Sequence, residues 1–239
     1  DMRPAVFAGP SIHGIAGQFT GLDLRGPAAC GDILDAVRQG IKVIGLIDGL
    51  YGDCAAVWHK EILYALASGV TVFGAASIGA LRAAECAAFG MIGIGHVFED
   101  YLDRRRFSDA DVAVNHAPRE LGYSPLTVAL VDAEATLAAC GTSFGPAERN
   151  ALLHAARSLH FTRRTWRSVT TEAGLEAEAA NLLAAHAVSV KRNDAALLLA
   201  MLNGGALPTP PPPDWKFQNT LFFQQLASER TAGGPRGDH

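Results

Sequence analysis

The chain of 239 residues and 25.1 kDa is long enough for one large domain, or for one domain with an appendage. Apolar residues at 49% against charged residues at 18% exclude a largely disordered chain, because that much apolar surface can be buried. With 20 basic and 24 acidic side chains the net charge is -4, which excludes the basic surplus that drives most nucleic-acid binding.

In chain order, Val6 to Ala8 reads as a short strand ending in the turn Gly9-Pro10-Ser11. Asp32 to Gln39 is a helix with Ile33, Leu34 and Val37 on one face, stopped by Gly40. Lys42 to Leu50 is an apolar run of strand length that closes at Asp48-Gly49. A helix over Ala55 to Ser68, N-capped by Asp53 and ended by Gly69, precedes a second buried run, Val70 to Phe73. A helix of small residues follows from Ser77 to Phe89. Strand, helix, strand, helix with short turns predicts an α/β fold, a parallel sheet flanked by helices. Reactive groups in such sheets gather beyond the carboxyl ends of the strands.

After Pro125 the pattern is helical, over Leu126 to Cys140, Pro146 to His160, Thr171 to Ala187 and, capped by Asp194, Ala195 to Leu202. The expected organisation is an α/β core over residues 1–140 and a helical C-terminal part of the same domain over 141–205. Residues 206–239 then form a proline-rich spacer, an aromatic arm and a disordered tail. The arm, WKFQNTLFFQQL, is expected to pack on this domain or on a neighbouring subunit. The first ten residues are too short and polar for a signal peptide. The uncharged stretch Ile62 to Leu81 is broken by Ser68, Gly69, Thr71 and Gly74, so no membrane span is expected and the setting reads as cytoplasmic. Cys30, Cys54, Cys86 and Cys140 lack metal-ligand spacing, and no metal site is expected.

The sharpest chemical feature is Ala75-Ala76-Ser77-Ile78-Gly79, a serine between small residues on a strand-to-helix turn, as in a nucleophile elbow. A simple serine N-cap would have the same spacing. Such a serine needs a base. Lys60 has Ala56, Val57, Leu63 and Tyr64 as its helix neighbours, an apolar face that would desolvate the amine and lower its pKa. His59 lies beside it. A Ser-His-Asp triad would need His96 or His116 with Asp48, and nothing in the spacing aligns them. Val190 to Asp194 offers a basic pair, Lys191 and Arg192, at a helix start. No phosphate loop of the G-x-x-x-x-G-K-[ST] type is present, so no nucleotide cofactor is expected.

The run from Leu46 to Tyr101, with GAASIGAL at its centre, resembles the TfuA-like protein family, as do HAPRELGYSPL (His116 to Leu126) and VKRNDA (Val190 to Ala195). The resemblance implies a partner of a YcaO enzyme, which uses ATP to activate a peptide amide for exchange of oxygen by sulfur. It implies hydrolysis of the C-terminal thiocarboxylate of a ThiS-like, ubiquitin-fold sulfur carrier by a Ser-Lys pair. Carried over by motif, the serine is Ser77 and the lysine Lys60, with Lys191 as the alternative amine. His59, Glu85 and Asp48 are candidate orienting groups, and Ala75 and Gly79, with Gly9, Gly49 and Gly52, candidates for a slot that takes a narrow carrier tail. The rival reading is a non-catalytic adaptor that docks on YcaO and promotes binding of its peptide.

Overall fold

The computed structural model describes residues 2–51, 56–205, 207–208 and 210–233. The expected parallel sheet flanked by helices is what these residues build. Strands β1 (Ala5–Phe7), β2 (Asp23–Arg25), β3 (Val43–Leu46), β4 (Thr71–Ala75) and β5 (Ile92–Ile94) form one sheet in the order β2-β1-β3-β4-β5, every pair parallel. The helices are α1 (Asp32–Arg38), α2 (His59–Ala67), α3 (Ile78–Cys86), α4 (His96–Leu102), α5 (Leu130–Ala139), α6 (Pro146–Ser158), α7 (Trp166–Glu172), α8 (Ala177–Ala185), α9 (Val190–Gly204) and α10 (Leu221–Gly233). The single helix expected over Thr171 to Ala187 is thus two, and Asp53, the expected cap of α2, lies outside the described residues.

Strand alternation divides the core. Ala5, Phe7, Ile44, Leu46 and Val72 face a cluster completed by Ile33 of α1, Ile62 and Leu66 of α2, and Ala83 of α3. Val6, Ala8, Ile47, Phe73 and Ala75 face the opposite way, against Ala195, Leu198, Leu199 and Leu202 of α9. Burying three leucines there contributes roughly 1.5–3 kcal/mol each, so the last long helix of the core is fastened to the sheet as firmly as the first. Between these layers and the end of the chain, α5 to α8 share a smaller apolar cluster around Leu137, Leu152, Val169 and Leu183.

Two contacts fix the helices that matter for the site. Glu61, fully buried, accepts the N–H groups of Gly31 (2.7 Å) and Leu34 (3.4 Å) at the start of α1 and of Trp58 (3.2 Å) at the start of α2. Burial raises its pKa against the pull of those bonds. Gly74 and Gly79 bring α3 onto the sheet: a Cβ on Gly79 would stand 1.8 Å from the Leu46 carbonyl oxygen, and one on Gly74 2.1 Å from the Gly79 oxygen. Only residues without a side chain permit this approach.

The aromatic arm packs on its own domain. Phe217 and Phe223 close around Tyr64 of α2 at 5.7 and 5.2 Å between ring centroids, and the Trp215 indole N–H donates to Phe89 O (3.2 Å). At the far end of the arm, Arg230 pairs with Asp32 (2.8 Å) and Asp35 (3.2 Å) of α1. Among the described residues, no helix is long and apolar enough to cross a membrane.

Candidate active site

A sheet of order 2-1-3-4-5 reverses its winding between β1 and β3, and ligands of such folds bind beyond the strand ends at that point. Here the position is filled from within. The Asp48 carboxylate, just past β3 and 2% exposed, accepts Gly9 N–H (2.8 Å) and Ser11 N–H (2.9 Å) through one oxygen and the Ser11 hydroxyl (2.7 Å) through the other. The turn that could cradle a phosphate holds the chain's own anion, which argues against a nucleotide at this end of the sheet.

One strand further along, β4 runs into a tight three-residue turn. Ser77 N–H bonds Ala75 O at 2.7 Å, and Ala76 between them adopts φ +66°. For a residue with a Cβ this is the rare, strained form of γ-turn, costing roughly 1–2 kcal/mol. Burial of Ala76 on the sheet face and the glycine contact of α3 hold it in place. The turn delivers Ser77, 1% exposed, at the start of α3.

The Ser77 hydroxyl donates to Val112 O (3.4 Å), and the Lys191 amine donates to the same oxygen (2.5 Å). One carbonyl therefore gathers a hydroxyl from α3 and an amine from α9. Lys191 is 3% exposed. Burial pushes its pKa below the ordinary lysine value, against the opposing influence of Asp48 and Asp132. The Asp132 carboxylate of α5 accepts Lys191 N–H (3.2 Å) and the Ser189 hydroxyl (2.9 Å), so it fastens the first turn of α9 and with it the amine. Burial raises the pKa of Asp132, the lysine charge and these bonds pulling it the other way. Tyr51 reaches the same segment: its hydroxyl donates to Asp109 O (3.4 Å), and its ring tilts on Phe161 at 5.9 Å.

The sequence signature of the TfuA-like protein family matches residues 48–165, a stretch that runs from Asp48 through Ser77 and Val112 to Asp132 and beyond. The chain belongs to the TfuA-like family. Membership supports a role linked to thioamidation and to a YcaO-associated partner. No curated protein matches the chain.

In this TfuA-like chain the residues expected from sequence separate into two sets. Ser77 and Lys191 come together on Val112 O, while Asp48 is bonded to Gly9 and Ser11 and acts on Lys191 through its charge. Lys60 does not join them: its amine donates to Gln218 O (2.9 Å) and sits 5.3 Å from the Phe217 ring centroid. The apolar face around Lys60 that suggested a tuned base is a docking face for the aromatic arm. His59 and Glu85 form a half-exposed pair at 2.7 Å, shared with Arg82, on the outer side of α2 and α3. The Glu85 pKa is lowered overall, burial raising it but the bonds from His59 and Arg82 outweighing that. Arg192 is exposed on the first turn of α9. Ala75, Gly49 and Gly79 line no slot, since Ala75 is fully buried and both glycines are packed against neighbouring atoms. Gly9 borders an open groove of about 400 Å³ that Gly26, Arg119 and Tyr123 also line; Gly52 lies outside the described residues. Asp194 does not cap its own helix. It is an interior residue of α9, which Ser189 caps, and it accepts Val97 N–H (2.8 Å) at the start of α4 instead.

Tyr51 and Asp132 were not singled out from sequence. A tyrosine three residues past a strand-ending aspartate is the one local signal for the first. The second is an ordinary first-turn acid of α5, and a backbone carbonyl such as Val112 O carries no signature at all. Among the described residues, no cluster of His, Cys, Asp and Glu could hold a metal ion.

Proposed function

We propose that this protein is a hydrolase of a thiocarboxylated carrier protein, acting through Ser77 as nucleophile and Lys191 as base, and that it supplies sulfide to a YcaO enzyme for peptide thioamidation. The observation that carries the reading is the convergence of the Ser77 hydroxyl and the buried Lys191 amine on one carbonyl oxygen, at the strand ends where α/β sheets bind ligands. Lys191, rather than Lys60, is the base because it is the amine beside the serine and the one that burial biases toward its neutral, proton-accepting form.

Neutral Lys191 takes the Ser77 proton as the serine oxygen bonds to the thiocarboxylate carbon. The ammonium returns that proton to sulfur, the C–S bond breaks, and hydrosulfide leaves an acyl-serine. Water, deprotonated by the same amine, then releases the carrier carboxylate and restores the serine. With Ser77 1% exposed, a carrier tail reaches it only after part of the surrounding packing moves aside. That enclosure is also the observation that favours the adaptor reading, in which Ser77 is a structural residue at the start of α3, its hydroxyl held on Val112 O rather than capping the helix.

Incubation with a thiocarboxylated ThiS-like carrier, followed by mass, separates the two. Conversion to carboxylate with sulfide release, lost in Ser77→Ala and Lys191→Met but kept in Lys60→Met, supports the hydrolase. Absence of conversion by the folded wild-type protein leaves the adaptor. Conversion that survives Lys191→Met but not Lys60→Met would overturn the choice of base.

A further inference from the structure

The Ser77 hydroxyl and the Lys191 amine both donate to Val112 O, at 3.4 and 2.5 Å. Proton transfer needs that hydroxyl aimed at the amine, and acyl transfer needs a carbon about 3–3.5 Å from the serine oxygen. In the structure a peptide oxygen stands at that distance from a serine that is 1% exposed. A carbonyl of the chain's own backbone thus takes the bonds that a substrate carbonyl would take.

The three segments that meet at this oxygen are held differently. α3 is tied backbone to backbone just past β3, Gly79 N–H to Ile47 O (3.1 Å), and α9 is fastened by Leu198, Leu199 and Leu202 buried on the sheet. The segment 107–113, which carries Val112, is built around a 3-10 turn, Asp109–Asp111. Its N–H groups bond within it, Asp111 to Ser108 O (3.3 Å) and Val112 to Asp109 O (3.2 Å). Side chains tie it down. The Tyr101 hydroxyl donates to Ser108 O (2.7 Å) and the Tyr51 hydroxyl to Asp109 O (3.4 Å), while Arg106 pairs with Asp111 (3.3 Å). Val112 itself is buried in a cluster with Ala80, Val97 and Val131. The outer end is open: Phe107 is 77% exposed, and with Arg106, Tyr101 and Leu102 it lines a cavity of about 410 Å³. We propose that segment 107–113 is an autoinhibitory strap, its Val112 carbonyl seated on Ser77 and Lys191 in place of substrate, and that the C-terminal tail of the carrier displaces it. Once the strap lifts, the serine hydroxyl turns to the Lys191 amine and its oxygen is open to the acyl carbon. Closure at rest keeps the nucleophile from chance acyl donors.

The inference rests on the hydrolase reading, and the measurements separate their failures. Tyr101→Phe removes the bond to Ser108 O and keeps the ring in the core. Val112→Ala trims the buried anchor and keeps the carbonyl. Each is expected to speed labelling of Ser77 by a fluorophosphonate, Tyr101→Phe by about 2–10-fold, the effect of one lost hydrogen bond on an opening equilibrium. The kcat/KM for the thiocarboxylated carrier should rise in the same ratio, because the open fraction enters both. A merely structural role predicts the opposite, slower labelling as the site loosens. Amide exchange at 108–113 reads the opening without chemistry. It is expected to outpace exchange in α3 and α9, and to quicken in Tyr101→Phe. Labelling at or below the wild-type rate in folded Tyr101→Phe, or exchange at 108–113 as slow as in α9, overturns the strap and leaves the hydrolase reading standing. If wild type labels without turning over the carrier, faster labelling of the variants upholds the strap and overturns the carrier as what displaces it. If none of the three proteins labels or turns over, both readings fall. Should Val112→Ala misfold, Tyr101→Phe decides alone.

Discussion

Gly79→Ala adds one methyl group where the fold leaves no room. The new Cβ would lie 1.8 Å from Leu46 O, 2.5 Å from its carbonyl carbon and 3.0 Å from Ile47 N, whereas real Cβ contacts essentially never fall below 3.0 Å. All three atoms belong to the backbone of β3, so no side chain can turn away. The start of α3 must withdraw until 1.8 Å becomes at least 3.0 Å, and the Gly79 N–H···Ile47 O bond of 3.1 Å stretches with it. Overpacking of a dense core costs about 1–3 kcal/mol and the weakened buried bond about 1 kcal/mol more, giving about 2–4 kcal/mol in total. Against the roughly 5–15 kcal/mol that holds a domain together, this is a large fraction. Urea unfolding is expected to show a lower midpoint with an unchanged slope. Because Ser77 opens the same helix, fluorophosphonate labelling of the still-folded variant should fall as well. A variant within about 0.5 kcal/mol of wild type would refute the argument that these two backbones are in contact.

Three further outcomes follow from groups already described. If neutral Lys191 is the base, kcat/KM rises with pH through a limb set by an amine whose pKa lies below the ordinary lysine value of about 10.4; a profile that falls with pH over that limb would exclude the role. The raised pKa of Glu61 means that the folded state holds its proton more tightly than the unfolded state. Its contribution to stability is present below the ordinary glutamate value and is lost as pH rises through the folded one. Urea melts across that window should therefore show the gap between wild type and Glu61→Gln narrowing as pH rises, and a widening gap would contradict the sign. Arg230→Met removes the pairs to Asp32 and Asp35 and is expected to cost about 1–2 kcal/mol, with faster amide exchange in α10 and no change in carrier turnover. Unchanged exchange would show that the arm is held by its aromatic residues alone.

Much of the fold was legible because its central strands are apolar on both faces. β1, β3 and β4 were each found within a few residues. The edge strands β2 and β5 were not, since Asp-Leu-Arg and Ile-Gly-Ile are three residues each, half-buried, and lack either the run or the alternation that marks a strand. Ser77 was legible because a strand-to-helix turn of small residues is a local pattern. Lys191 was named only as the alternative amine, through the family resemblance, because it reaches the serine through the packing of α9 on the sheet, a relation that no spacing encodes. Lys60 stands with the aromatic arm rather than with Val112 O for a physical reason. An apolar helical face around a lysine looks the same whether it desolvates a base or receives an aromatic arm, and only the position of Phe217 decides between them.

The candidate site straddles the stretch by which the family is recognised. Residues 48–165 include Ser77, Tyr51, Val112 and Asp132, yet β1, β2 and β3 lie before that stretch and the amine of Lys191 after it. A fragment excised at those limits would lose three of the five strands, β1, β2 and β3, and the helix α9 that covers one face of the sheet, and would carry Ser77 without Lys191. Recombining two members of the family at the same limits would set the serine of one parent against an amine whose surroundings belong to the other. The unit that can be transplanted is therefore longer than the unit that can be recognised.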